Sequence, residues 1–214
     1  MIKAVIWDFG GVLTSSPFEA FNRYEAENGL PTDFIRGINA TDPDTNAWAL
    51  FERSEITAEE FDQKFAQESD AQGHRVPGAD VIALLAGDIR PAMVTALGIV
   101  SQNFKTGCIT NNVPAGEGAG MARTHEKAKA VAEVMTLFHE VIESSKIGMR
   151  KPDPRIYQLM CEKLEIEPND AVYLDDLGIN CKPARALGMT TIKVTDPDVA
   201  LTELESAVGM SLRG

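Results

Sequence analysis

Two spacings of apolar residues alternate along the chain. Short apolar runs, the first over residues 2–7 and interrupted only by Lys3, have the length of a strand buried on both faces. Longer stretches place apolar residues at the repeat of a single helix face. Phe18, Phe21 and Tyr24 follow Ser16-Pro17, a capping residue with proline at the first helical position, and Gly29-Leu30-Pro31 ends that run. Thr57-Ala58-Glu59-Glu60 has the form of a capping box, with Phe61 and Phe65 a helical turn apart behind it. Residues 14–90 therefore predict several helices and no strand. Such a stretch is too long for a simple crossover and reads as a helical insertion capping a site.

After it the two spacings alternate. Residues 91–104 predict a helix, 106–110 a strand, 112–120 a Gly-rich loop, 123–137 a helix and 139–143 a strand. Asp153-Pro154 caps a helix running to Leu164. Residues 171–174 predict a strand, 179–187 a helix stopped by Gly188, and 190–194 a strand, and Asp196-Pro197 opens a last helix. The pattern is that of an α/β fold with a parallel sheet, whose ligands bind at the carboxyl ends of the strands.

Candidate chemistry falls at those ends. Asp8 closes the first strand and leads into Phe9-Gly10-Gly11-Val12; Thr110-Asn111-Asn112 follows the second strand. Lys151 lies in Lys151-Pro152-Asp153-Pro154, and Asp175-Asp176 closes another strand ahead of Asn180. Singly, each has an ordinary reading: a turn former, loop polarity, a solvated lysine. The acid pair is the least ordinary, because adjacent carboxylates repel without a cation between them. Together they make a nucleophile, a hydroxyl, a cation and an acid pair for a hard metal, an inventory suited to phosphoryl transfer.

Composition narrows the partners. A net charge of −12 over 214 residues argues against a nucleic-acid surface. No apolar run approaches membrane-spanning length, and the strand pattern begins too early to leave room for a signal peptide. Cys108, Cys161 and Cys181 are widely spaced and read as reduced thiols, so the expected location is the cytoplasm. Residues 116–120 look like a dinucleotide loop but carry Met121 where the third glycine belongs; a loop beside the site is the better reading. His74, His125 and His139 lack ligand spacing, and the aromatic residues between Phe18 and Phe65 read as cap core. No oligomeric state is legible.

The four motifs, in this order and spacing, resemble the haloacid dehalogenase-like hydrolases over nearly the full length. Glu55-Ile56-Thr57 and residues 142–157, 174–189 and 195–213 are similar to two branches of that family. These are the phosphatase-type domain of soluble epoxide hydrolase and the hydrolase-like domain fused to some acyl-CoA dehydrogenases. The resemblance implies a three-layer Rossmann-like core over 1–13 and 91–214, with a helical cap over 14–90. It implies a Mg²⁺-dependent phosphohydrolase of small phosphorylated metabolites. Asp8 is then the nucleophile and a metal ligand, Asp176 binds the metal with the Gly10 carbonyl, and Asp175 and Asn180 support it. Thr110, Asn111 and Lys151 hold the phosphoryl group. Position 10 departs from the family pattern: phosphatases there carry an aspartate that protonates the leaving oxygen, and Gly10 cannot. A leaving group that needs no proton, a substitute acid such as Glu19 or Glu25, or an inert binding module each fit that departure. A dehalogenase would also lack the aspartate, but it has no use for Asp175-Asp176.

Overall fold

A computed structural model of the chain describes residues 1–113, 121 and 124–213. Five strands form one parallel sheet: β1 (Ala4–Trp7), β2 (Lys105–Thr110), β3 (Glu140–Glu143), β4 (Ala171–Asp175) and β5 (Thr190–Lys193), in the order β3-β2-β1-β4-β5. β1 is central and buried along its length, which is why it carries no polar alternation. Successive side chains point to opposite faces. Val5 and Trp7 join a core with helices α6 (Pro91–Ser101), α7 (His125–Met135) and α11 (Pro197–Val208). Ala4 and Ile6 join a second core with α9 (Pro154–Leu164) and α10 (Gly178–Ala186). The result is the expected three-layer α/β architecture. At Gly107 a β-carbon would lie 2.6 Å from Met160 Sδ, so glycine lets α9 settle directly on β2.

Between β1 and α6 lie α1 (Pro17–Glu27), α2 (Phe34–Ala40), α3 (Ala47–Glu52), α4 (Ala58–Ala71) and α5 (Gly78–Ala83). They share an apolar cluster of their own, in which Phe51 stacks on Phe61 at 4.6 Å between ring centres. The Thr57–Glu60 capping box is formed as the sequence predicts. The two strands of chain that join these helices to the sheet run side by side: Thr14 bridges Ile89, and Ser15 N–H donates to the Asp88 carbonyl at 2.8 Å. On the far side, α3 is fastened to the sheet layer by a buried Glu52–Arg150 ion pair at 2.6 Å. Arg150 also donates to the Pro43 carbonyl, and Ser54 to the Ser145 carbonyl.

The predicted elements shift by a few residues at their ends. The first strand starts at Ala4, the fourth includes Asp175, and the helix predicted over 91–104 stops at Ser101. A short helix α8 (Ser144–Ile147), which has no apolar repeat to announce it, follows β3. Residues 114–120 of the predicted Gly-rich loop, and Arg123, lie outside the described residues. Among the described residues no helix is long and apolar enough to cross a membrane.

Candidate active site

The parallel sheet brings the ends of β1, β2 and β4 together, and three of the four motifs converge through Lys151. Its main chain lies between α8 and α9, and its side chain is fully buried. The ammonium bridges Asp8 Oδ1 and Asp175 Oδ2, each at 2.8 Å. Phe9 N–H also donates to Asp8 Oδ1, at 2.7 Å. Both contacts fall on the same oxygen, so Asp8 Oδ2 has no hydrogen-bond partner among the described residues. The Thr110 hydroxyl likewise has no protein partner among them. Thr110 itself is buried at the end of β2.

Asp175 is saturated. Leu177 N–H donates to Oδ1 at 2.8 Å, the Asn180 amide reaches both oxygens at 3.0 and 3.1 Å, and the Tyr173 hydroxyl donates to Oδ2 beside Lys151. Asp176 accepts one side-chain bond, from Ser16 at 3.2 Å. Oxygens of Asp8, Asp175 and Asp176 lie within 4.8 Å of one another. Three carboxyl groups face one ammonium in a mostly buried space, so their full ionisation would leave an excess of two negative charges. That donor set fits a hard divalent cation. Asp8 and Asp176 have oxygens to offer it, whereas Asp175 does not. The Gly10 carbonyl accepts no hydrogen bond from the described residues.

Burial raises the Asp8 carboxyl well above its usual range; Lys151 pulls against this, and the charges of Asp175 and Asp176 add to it. Burial alone would lower Lys151, but Asp175 and Asp8 outweigh it and keep the ammonium firmly protonated. Asp176 is raised to about 6, first by burial and then by Asp175.

The two glycines after Asp8 differ. Gly11 adopts φ +76°, and a β-carbon there would lie 2.2 Å from Asp176 Oδ2, so this turn demands glycine. At Gly10 a β-carbon would meet nothing within 4 Å. The Asn111 carboxamide bonds the main chain of Lys151. Glu25 is not available as a substitute acid, because its carboxylate accepts the Asp33 and Ile35 N–H groups at 2.9 Å each. Glu19 is solvent-exposed, 3.8 Å from Arg90.

Sequence reasoning missed Tyr173, Ser16 and Gly11. Tyr173 carried a signal: two positions before Asp175 on a strand, it must share that residue's face. Ser16 was legible only as a helix cap. Its hydroxyl does accept from Phe18 N–H, but it also donates to Asp176.

Comparison with known proteins agrees with this geometry. A family model for haloacid dehalogenase-like hydrolases matches residues 2–188. The chain is 35% identical over 216 residues to Acyl-CoA dehydrogenase family member 10 of Mus musculus, covering 98% of this chain and 19% of that protein. It is 34% identical over 226 residues to Bifunctional epoxide hydrolase 2 of Sus scrofa, covering 99% of this chain and 40% of that protein. The chain thus spans less than half the length of either. Sesquiterpene phosphatase astK of Aspergillus oryzae is 28% identical over 214 residues, covering 97% of both chains. Among solved structures, a HAD family enzyme of Bacteroides thetaiotaomicron in complex with magnesium and inorganic phosphate shares the fold. The TM-score is 0.60 at 22% identity, over 90% of this chain and 94% of that one.

Proposed function

The chain belongs to the haloacid dehalogenase-like hydrolases, and on that footing we propose that it is a Mg²⁺-dependent phosphohydrolase of small phosphorylated metabolites. The observation that carries the reading is the Lys151 ammonium held at 2.8 Å from both Asp8 and Asp175, with Asp176 in the same acidic cluster. Phosphatase relatives support the reaction class. Asp8 and Asp176, with the Gly10 carbonyl, would hold Mg²⁺, which supplies charge neutralisation for the transferring phosphoryl group.

Asp8 Oδ2 attacks phosphorus, the bond from phosphorus to the leaving oxygen breaks, and an aspartyl-phosphate forms. Lys151 favours the anionic form of Asp8 against its burial and, with the Thr110 hydroxyl, offsets charge on the phosphoryl oxygens. Water then cleaves the acyl phosphate, releasing orthophosphate and returning the carboxylate. Asp175, locked by Tyr173, Asn180 and Leu177, orients Lys151. Helices α1–α5 act as the cap that excludes water. Three buried, unpaired cysteines suit a reducing cytoplasm.

The test is hydrolysis of p-nitrophenyl phosphate and acetyl phosphate with and without Mg²⁺, alongside Asp8→Asn. Turnover that needs both Mg²⁺ and Asp8 is the expected result. A folded protein that hydrolyses neither substrate, or an Asp8→Asn variant at full rate, refutes it. Gly10 favours one second reading, a phosphate-binding module without turnover. In that case phosphate binds and beryllofluoride traps at Asp8, but no substrate is consumed.

A further inference from the structure

Asn111 leaves β2 directly after Thr110, but both ends of its carboxamide are taken. Oδ1 accepts the Lys151 N–H at 2.8 Å, and Nδ2 donates to the Lys151 carbonyl at 3.0 Å. A side chain here makes the paired exchange that a neighbouring strand would make. Asn112 is anchored the other way. Its N–H donates to the Ser144 hydroxyl at 3.1 Å, and that hydroxyl donates to the Asn112 carbonyl at 3.0 Å. Its amide donates to Glu143 Oε2 at 2.9 Å, and its Oδ1 accepts the Ser145 hydroxyl at 2.9 Å. The exit of β2 is therefore tied to the turn after β3, and the Lys151 main chain is tied to the exit of β2.

This matters because a lysine side chain is long and flexible. Its many rotamers cost entropy to freeze, and bridging two carboxylates at once requires a fixed point of origin. We propose that Asn111 is a positioning residue for Lys151: its carboxamide fixes the main chain from which the ammonium reaches Asp8 and Asp175, and that carboxamide does not itself contact phosphate. The proposal rests on the phosphohydrolase reading for its kinetic consequence but not for its geometry.

Two measurements test it. The first is a double-mutant cycle of Asn111→Ala with Lys151→Met, read in kcat, KM and the orthophosphate inhibition constant. Asn111→Ser serves as a milder variant should Asn111→Ala fold poorly. A misplaced lysine should lower kcat about 10- to 100-fold while KM moves less than about 3-fold. Once Lys151 is gone, losing Asn111 should cost less than about 2-fold. An equal loss in both backgrounds, with weaker orthophosphate inhibition in each, means that the Asn111 side chain touches phosphate and overturns the proposal. The second is the NMR signal of the Lys151 ammonium in metal-free protein, which a buried, doubly bridged group should show and either Asn111 variant should lose or broaden. An unchanged signal in both overturns the proposal whatever the activity. If the wild type hydrolyses no phosphate ester, the functional reading fails, and this signal alone decides the clamp.

Discussion

Gly10→Asp should make this protein a faster phosphatase, selectively. The position is sterically open, since a β-carbon there meets nothing within 4 Å, and the backbone is not in the left-handed region that would strain a side chain. An aspartate so placed can protonate a departing oxygen. General acid assistance is typically worth about 10²- to 10⁴-fold in rate, or roughly 3–5.5 kcal/mol of barrier. The gain should fall almost wholly on poor leaving groups such as alkyl phosphates. Acetyl phosphate, whose leaving group departs without a proton, should gain less than about 10-fold. The assay is kcat/KM for a series of alkyl, aryl and acyl phosphates, plotted against leaving-group pKa for both proteins. The wild-type line should be steep and the variant line shallow. The same gain on every substrate, or none in a folded variant that still binds Mg²⁺, refutes the reasoning. The fourth carboxylate also adds to an already negative cluster, so the metal-free variant should melt below the wild type and recover with Mg²⁺.

Other perturbations have equally definite signs. Gly11→Ala should abolish Mg²⁺-dependent stabilisation, because its β-carbon would sit 2.2 Å from Asp176 Oδ2 at φ +76°; thermal melts with and without Mg²⁺ check this. Asp176, raised from 3.8 to about 6, binds a proton more tightly folded than unfolded, so its contribution to metal-free stability is lost as pH rises from about 4 to 6. Mg²⁺ needs both Asp176 and Asp8 ionised, so its affinity should weaken at least about tenfold per pH unit below about 6, and calorimetric titration at several pH values measures it. Tyr173→Phe removes one of several donors to the buried Asp175 and should cost about 1–3 kcal/mol in denaturant unfolding, with Asp8-dependent activity retained at a reduced rate.

What was legible in the chain was whatever local spacing dictates. β1 has no polar alternation because both of its faces are covered, and Asp175-Asp176 stood out because two adjacent acids ending an apolar strand need compensation. The ends of elements were less legible, as at Asp175, where the strand runs one residue into the polar motif. Partner choice was not legible at all. Nothing near Asn111 shows that its amide goes to the main chain of Lys151, or near Glu52 that it meets Arg150, because such pairings are set by how distant segments pack. Nor can Gly10-Gly11 as letters reveal which glycine the turn requires. That depends on φ and on the approach of Asp176 from another strand.

The Glu52–Arg150 pair fixes how the helical layer can swing. Separating it would strand a buried carboxylate, and breaking such a pair costs about 3–5 kcal/mol. At that cost only roughly one molecule in 10²–10⁴ would have α3 detached at any moment. The layer is thus held at two places, by the paired chain segments at Thr14 and Ile89 and by α3 against residues 145–150. If it caps the strand ends, any wide opening must first part the Glu52–Arg150 pair, and the bulk of a phosphate able to reach Asp8 should grow when that pair is removed.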